Sequence, residues 1–137
     1  MGTFGTGNED LIEREAGTSF ITGHTGTAFA VSGGQVIEGP MFITDRVALR
    51  LHARRPSSMP AEALSVLDLV KPPPDIVLIG TGSLAVDLDP AVIQGLRDRD
   101  LSMEVMGTRN AVGAYNVLAQ ESRRVAAFLW PAGEEGG

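Results

Sequence analysis

In the stretch DIVLIGTGSLAVDLDP, residues 75–90, an apolar run leads into Gly80-Thr81-Gly82-Ser83. With Ala85 the spacing fits G-x-G-x-x-[GA]. In dinucleotide-binding folds such glycines let backbone N–H groups approach a pyrophosphate at the start of a helix. Three features argue against that chemistry. Asp89-Pro90 sets the next helix start seven residues after Gly82, outside the motif. The following apolar run ends in Met106-Gly107-Thr108 and offers no carboxylate for a ribose hydroxyl, since Glu104 lies inside it. Only 55 residues follow Gly82, too few for a full dinucleotide fold. The G-K-[ST] ending of a P-loop is also missing. Two readings remain. Gly80 and Gly82 form a tight turn with positive φ at the carboxyl end of a strand. Alternatively, Gly80, Thr81, Gly82 and Ser83 join Thr108, Arg109 and Asn110 around one concavity, where Arg109 and a helix N-terminus would hold a small carboxylate or phosphate.

Other catalytic sets are poorly supported. The chain has no cysteine, which removes disulfides, thiolate catalysis and the strongest zinc patterns together. A Ser83–His52–Asp87 triad can be written, but no nucleophile elbow supports it. His24, in TGHTGT, reads as a surface turn, and no helical or hairpin spacing joins it to His52 and carboxylates as metal ligands. No catalytic residue, metal or cofactor is assigned. Asp87 and Asp89 read as loop and cap. Tyr115 reads as a ring packed on a sheet, and Asn116 as a hydrogen-bonding partner of a neighbouring loop.

The elements that would position these residues follow from patterning. The chain has 137 residues, 43% of them hydrophobic and 20% charged, which suits one domain with a real core. We expect a flexible segment at 1–18, a single domain at 19–131 and a flexible tail at 132–137. Phe20–Leu51 reads as antiparallel β structure, with a hairpin turn at Gly33-Gly34 and a bulge or edge at Gly39-Pro40. RVALRL alternates Val47, Leu49 and Leu51 against Arg46, Ala48 and Arg50, as in a half-buried strand. PAEALSVLDLVKPPP reads as a helix burying Leu64, Leu67 and Val70, with Val66 beside them, stopped by Pro72-Pro73-Pro74. Strand, helix, strand, helix and strand then alternate: DIVLIG, DPAVIQGLRDRD, LSMEVMG, TRNAVGAYNVLAQESRR and VAAFLWP. Asp89 and Thr108 read as the two helix caps. Val112, Tyr115, Leu118 and Ala119 form one helical stripe. The crossover rule makes the first two of these strands parallel neighbours and leaves the direction of the last open. The fold class is therefore α/β: three layers, a mixed central sheet flanked by helices, and an N-terminal β hairpin region.

Charge narrows the partners. The net charge is −6, with tight basic pairs only at Arg54-Arg55 and Arg123-Arg124, so nucleic acid is not expected. No apolar run reaches the roughly 20 residues of a membrane span, and the N-terminus resembles neither a signal nor a transit peptide. A cytoplasmic protein is expected.

PDIVLIGTG, MEVMGT and AYNVLAQESRRVAAFLWP together resemble the Mth-domain family of small α/β proteins. That family includes a mitochondrial respiratory complex I assembly factor branch and an adipogenesis-associated cytosolic branch. The match runs from about Phe20 to Pro131. The resemblance implies the three-layer fold and no established enzyme activity. It carries over Gly80, Thr81, Gly82, Thr108, Tyr115, Asn116 and Arg124 as matched positions. Relatives often have a Cys-Arg-Thr-like run where this chain has Val112-Gly113-Ala114, a departure that weakens a polar ligand site. By resemblance, the expected function is a non-enzymatic interaction or assembly protein with protein partners, and possible self-association. The alternative is an anion-binding protein or enzyme using the Gly80–Ser83 loop and Arg109.

Overall fold

A computed structural model describes residues 18–133 and the backbone of Ile12–Glu13. The flexible segments expected at 1–18 and 132–137 lie largely outside these residues. Of the tail, Ala132 and Gly133 are described, and Gly133 lies against the backbone of Gly26.

The strands are β1 (Ile12–Glu13), β2 (Ile21–His24), β3 (Ala28–Val31), β4 (Gln35–Glu38), β5 (Met41–Thr44), β6 (Val47–Arg50), β7 (Ile76–Thr81), β8 (Ser102–Met106) and β9 (Val125–Trp130). The α-helices are α1 (Pro90–Asp98) and α2 (Thr108–Gln120). The main sheet has the order β1-β6-β5-β9-β7-β8, and β2-β3-β4 form a second, antiparallel sheet. β7 pairs parallel with both β8 and β9, and β9 pairs antiparallel with β5. The last strand thus enters the middle of a mixed sheet.

Its composition explains that place. All six residues of β9 are buried, and alternate ones serve opposite faces, as in any strand covered on both sides. Val125, Ala127 and Leu129 join the core beneath α2 and the small sheet. Ala126, Phe128 and Trp130 join the core beneath α1 and residues 61–69. Phe42 lies opposite Phe128 across the β5–β9 pair, with ring centroids 4.9 Å apart. The Trp130 indole N–H donates to the carbonyl of Ala53 at 2.9 Å.

Four details differ from the sequence reading. Residues Ala61–Leu69 form a 3₁₀ helix, not an α-helix. Leu64 and Leu67 are its buried residues, and their three-residue spacing is the repeat that stacks side chains on one edge of a 3₁₀ helix. Gly39-Pro40 is neither bulge nor edge. It is the corner where the chain leaves the small sheet for the main one, with Gly39 at φ 81°. β6 keeps the expected alternation only in part: Arg46 and Arg50 are exposed, but Ala48, expected beside them, is fully buried against the small-sheet core. His24 ends strand β2 and stacks on Phe29, with centroids 6.4 Å apart, so it is not a surface turn.

Gly80 also differs. It lies inside β7 and is a glycine for space. A Cβ there would stand 2.8 Å from Leu129 Cδ2, 2.9 Å from Ala111 Cβ and 3.1 Å from the Thr108 backbone. Gly113, inside α2, meets nothing within 4 Å. Gly80→Ala should therefore destabilise by about 1–3 kcal/mol through overpacking. Gly113→Ala should stabilise by about 0.5–1 kcal/mol through helix propensity. Urea unfolding of the two variants checks both signs.

Candidate functional site

β7 delivers Thr81 and Gly82 to the carboxyl edge of the sheet, beside the start of α2. Gly82 has φ 99°, the left-handed conformation glycine tolerates. The two threonines of the motif face inward. The Gly82 N–H donates to Thr108 Oγ1 at 2.8 Å, and that hydroxyl donates to the Trp130 carbonyl at 2.5 Å. The Thr108 N–H donates to the Gly82 carbonyl at 2.8 Å. Thr108 is therefore not a cap. The cap residue of α2 is Gly107, which has no side chain to offer, and Thr108 is the first helical residue. Thr81 Oγ1 donates to the Leu84 carbonyl at 2.6 Å and accepts from the Val86 N–H at 3.1 Å, closing the loop after β7. Both threonines are fully buried.

Four of the residues expected to converge do so. Gly82, Ser83, Arg109 and Asn110, with Gly107 and Ala132, line a cavity of about 290 Å³. Thr81, Thr108 and Gly80 are excluded from it by the contacts above. What remains is an exposed arginine at an uncapped helix start, an arrangement that would favour a small anion.

Tyr115 and Asn116 sit elsewhere, on the α2 face toward β2. The Tyr115 hydroxyl donates to the Ser19 carbonyl at 2.8 Å. Asn116 Oδ1 accepts from the Ile21 N–H at 2.9 Å, and its Nδ2 donates to the Ile21 carbonyl at 2.8 Å. The side-chain amide thereby imitates a neighbouring strand. Its partner lies in a strand rather than a loop. Burial, with a smaller contribution from Asp45, pushes the Tyr115 phenol well above its ordinary value. Arg124 makes an exposed ion pair with Asp75 at 3.4 Å, and its carbonyl accepts from the Asp75 N–H at 2.6 Å.

Among the described residues, every buried side-chain nitrogen or oxygen has a hydrogen-bond partner. Within the same residues no three His, Asp or Glu side chains gather as a metal site. The sequence reading did not find an open groove of about 800 Å³ elsewhere, between β5–β6 and residues 66–74. One signal was present: Leu69 falls off the Leu64–Leu67–Val70 row.

The mixed sheet between two helical layers, with a buried threonine joining turn, helix and central strand, defines a small α/β domain with its polar motif turned inward. Residues 21–130 match the family described as a protein of unknown function (DUF498/DUF598), and the chain belongs to it. Two curated relatives are each named NADH dehydrogenase (ubiquinone) 1 alpha subcomplex assembly factor 3. The Xenopus tropicalis protein is 29% identical over 88% of this chain and 66% of its own length. The Danio rerio protein is 31% identical over 87% of this chain and 67% of its own length. The chain thus spans about two-thirds of these relatives. A solution structure from Bordetella pertussis, described as a Mth938-like domain, superposes with a TM-score of 0.70 at 21% identity, covering 85% of this chain and 88% of that one. That likeness bears out the three-layer α/β fold. No helix among the described residues is long and apolar enough to cross a membrane.

Thr108→Val keeps the shape and removes the hydroxyl, leaving a buried N–H and a buried carbonyl unpaired. It should cost about 2–4 kcal/mol, while Thr108→Ser should cost less; chemical denaturation separates the two. Tyr115 offers a pH test, because it is the only tyrosine. Its pKa is raised in the folded state, so its stabilising contribution is complete below about pH 10 and is lost as pH rises further. Its ultraviolet titration should coincide with alkaline unfolding, and a reversible titration near pH 10 in the folded protein would contradict the burial.

Proposed function

We propose that this chain is an assembly protein, which holds a subunit of a membrane-associated complex, such as the NADH dehydrogenase, while that complex is built. The observation that carries the reading is the alignment of nearly the whole described domain with relatives named as assembly factors of that complex. The polar network supports it. Thr81, Thr108, Tyr115 and Asn116 are held by backbone partners inside the domain. The residues that resemble a motif therefore maintain a shape, and recognition falls to the outer surface. Catalysis needs groups free to meet a substrate, and these are not free.

The test is affinity purification of the full chain from its own cells, with brief crosslinking and mass spectrometry. Near-stoichiometric recovery of subunits of one membrane-associated complex is expected, unchanged in Arg109→Ala. Recovery at background, together with a small anion that raises Tm in the wild type and not in Arg109→Ala, would replace this reading with ligand binding.

A further inference from the structure

The outer face of the main sheet is covered unevenly. Residues 61–69 and α1 pack over β7 and β9, through Leu64, Leu67, Val92 and Leu96. Beside them, Val47 and Leu49 of β6 are left only half-buried by the described residues. Phe42 forms the buried floor of the groove there, and Val125, at the start of β9, borders it. Val47 and Leu49 on one side, and Val66 and Val70 on the other, are half-buried walls. Leu69, on the rim, is 79% exposed.

The charges say what would cover it. Arg46, Lys71 and Arg124 line the groove against one carboxylate, Asp45. The chain as a whole has the opposite balance, 17 acidic residues against 11 basic. Arg124 is paired with Asp75, and no ion pair among the described residues engages Arg46 or Lys71. The rim thus presents cations beside an apolar floor, complementary to an apolar surface edged by carboxylates.

We propose that this groove receives an amphipathic helix of the partner protein, laid with its apolar stripe on Val47, Leu49, Val66 and Leu69 and its flanking carboxylates toward Arg46 and Lys71. Such a helix would cover the half-buried Val47 and Leu49. The inference rests on the assembly reading and adds where the partner sits and what chemistry it presents.

The experiment places a benzophenone amino acid at position 69 of the full chain, and separately at exposed Val117 on the opposite layer, in the chain's own cells. Crosslinked peptides are sequenced, and the segment captured through position 69 is synthesised and titrated against the wild-type chain and an Arg46→Glu, Lys71→Glu double variant. Position 69 should capture one segment with apolar residues at helical spacing and flanking Asp or Glu. Its affinity should fall about tenfold in the double variant and weaken with added salt. Capture of a second copy of this chain, an acyl lipid, segments without that pattern, or nothing would overturn the proposal, as would unchanged affinity in the double variant. If position 117 or whole-chain purification recovers a complex subunit while position 69 does not, the groove assignment falls and the assembly reading stands. If neither recovers one, both fall.

Discussion

The Thr108 hydroxyl accepts from the Gly82 N–H and donates to the Trp130 carbonyl, so three elements distant in sequence meet at one buried oxygen. The turn after β7, the first residue of α2 and the last residue of β9 are fixed together there. Each group it engages is a backbone group that burial would otherwise leave unpaired. Gly80 permits this meeting, because any side chain on it would push Leu129, Ala111 and the start of α2 away. The G-T-G sequence is then a packing and hydrogen-bonding solution for the edge of a central parallel strand.

The other end of α2 follows the same logic. Tyr115 and Asn116 tie the helix to Ser19 and Ile21, at the entrance to the small sheet. Helix and small sheet therefore cover one face of the main sheet as a unit, with Ala111, Val112 and Ala119 against Leu78, Ala127 and Leu129. The opposite face is packed by a 3₁₀ segment and a short helix over β7 and β9, and the groove lies beside them along β5 and β6.

Much of the fold was legible because its signals are local. The continuous apolar runs of β7 and β9, the Asp89-Pro90 helix start, where the Asp89 carboxylate accepts from the Ala91 N–H as expected, and the stripe of α2 need only neighbours in sequence. The failures share a cause. A threonine before a helix looks like a cap by local rules, yet the groups that claimed Thr108 lie 22 and 26 residues away. A glycine after a strand suggests a positive φ, yet Gly80 answers a crowd formed by Leu129, Ala111 and Thr108. The groove was invisible because its floor and walls come from β5, β6, residues 66–74 and the start of β9, brought together only by the sheet order.

The most direct test of this account is native-state hydrogen exchange at the Gly82 amide. Ligand-holding loops belong to the low-stability part of a protein and open locally. If the motif is a structural junction, the Gly82 N–H should exchange only through global unfolding, with the same protection as amides inside β7 and β9. Exchange as fast as that of the exposed loop residues Ser83–Ala85 would show a freely opening turn and contradict the account.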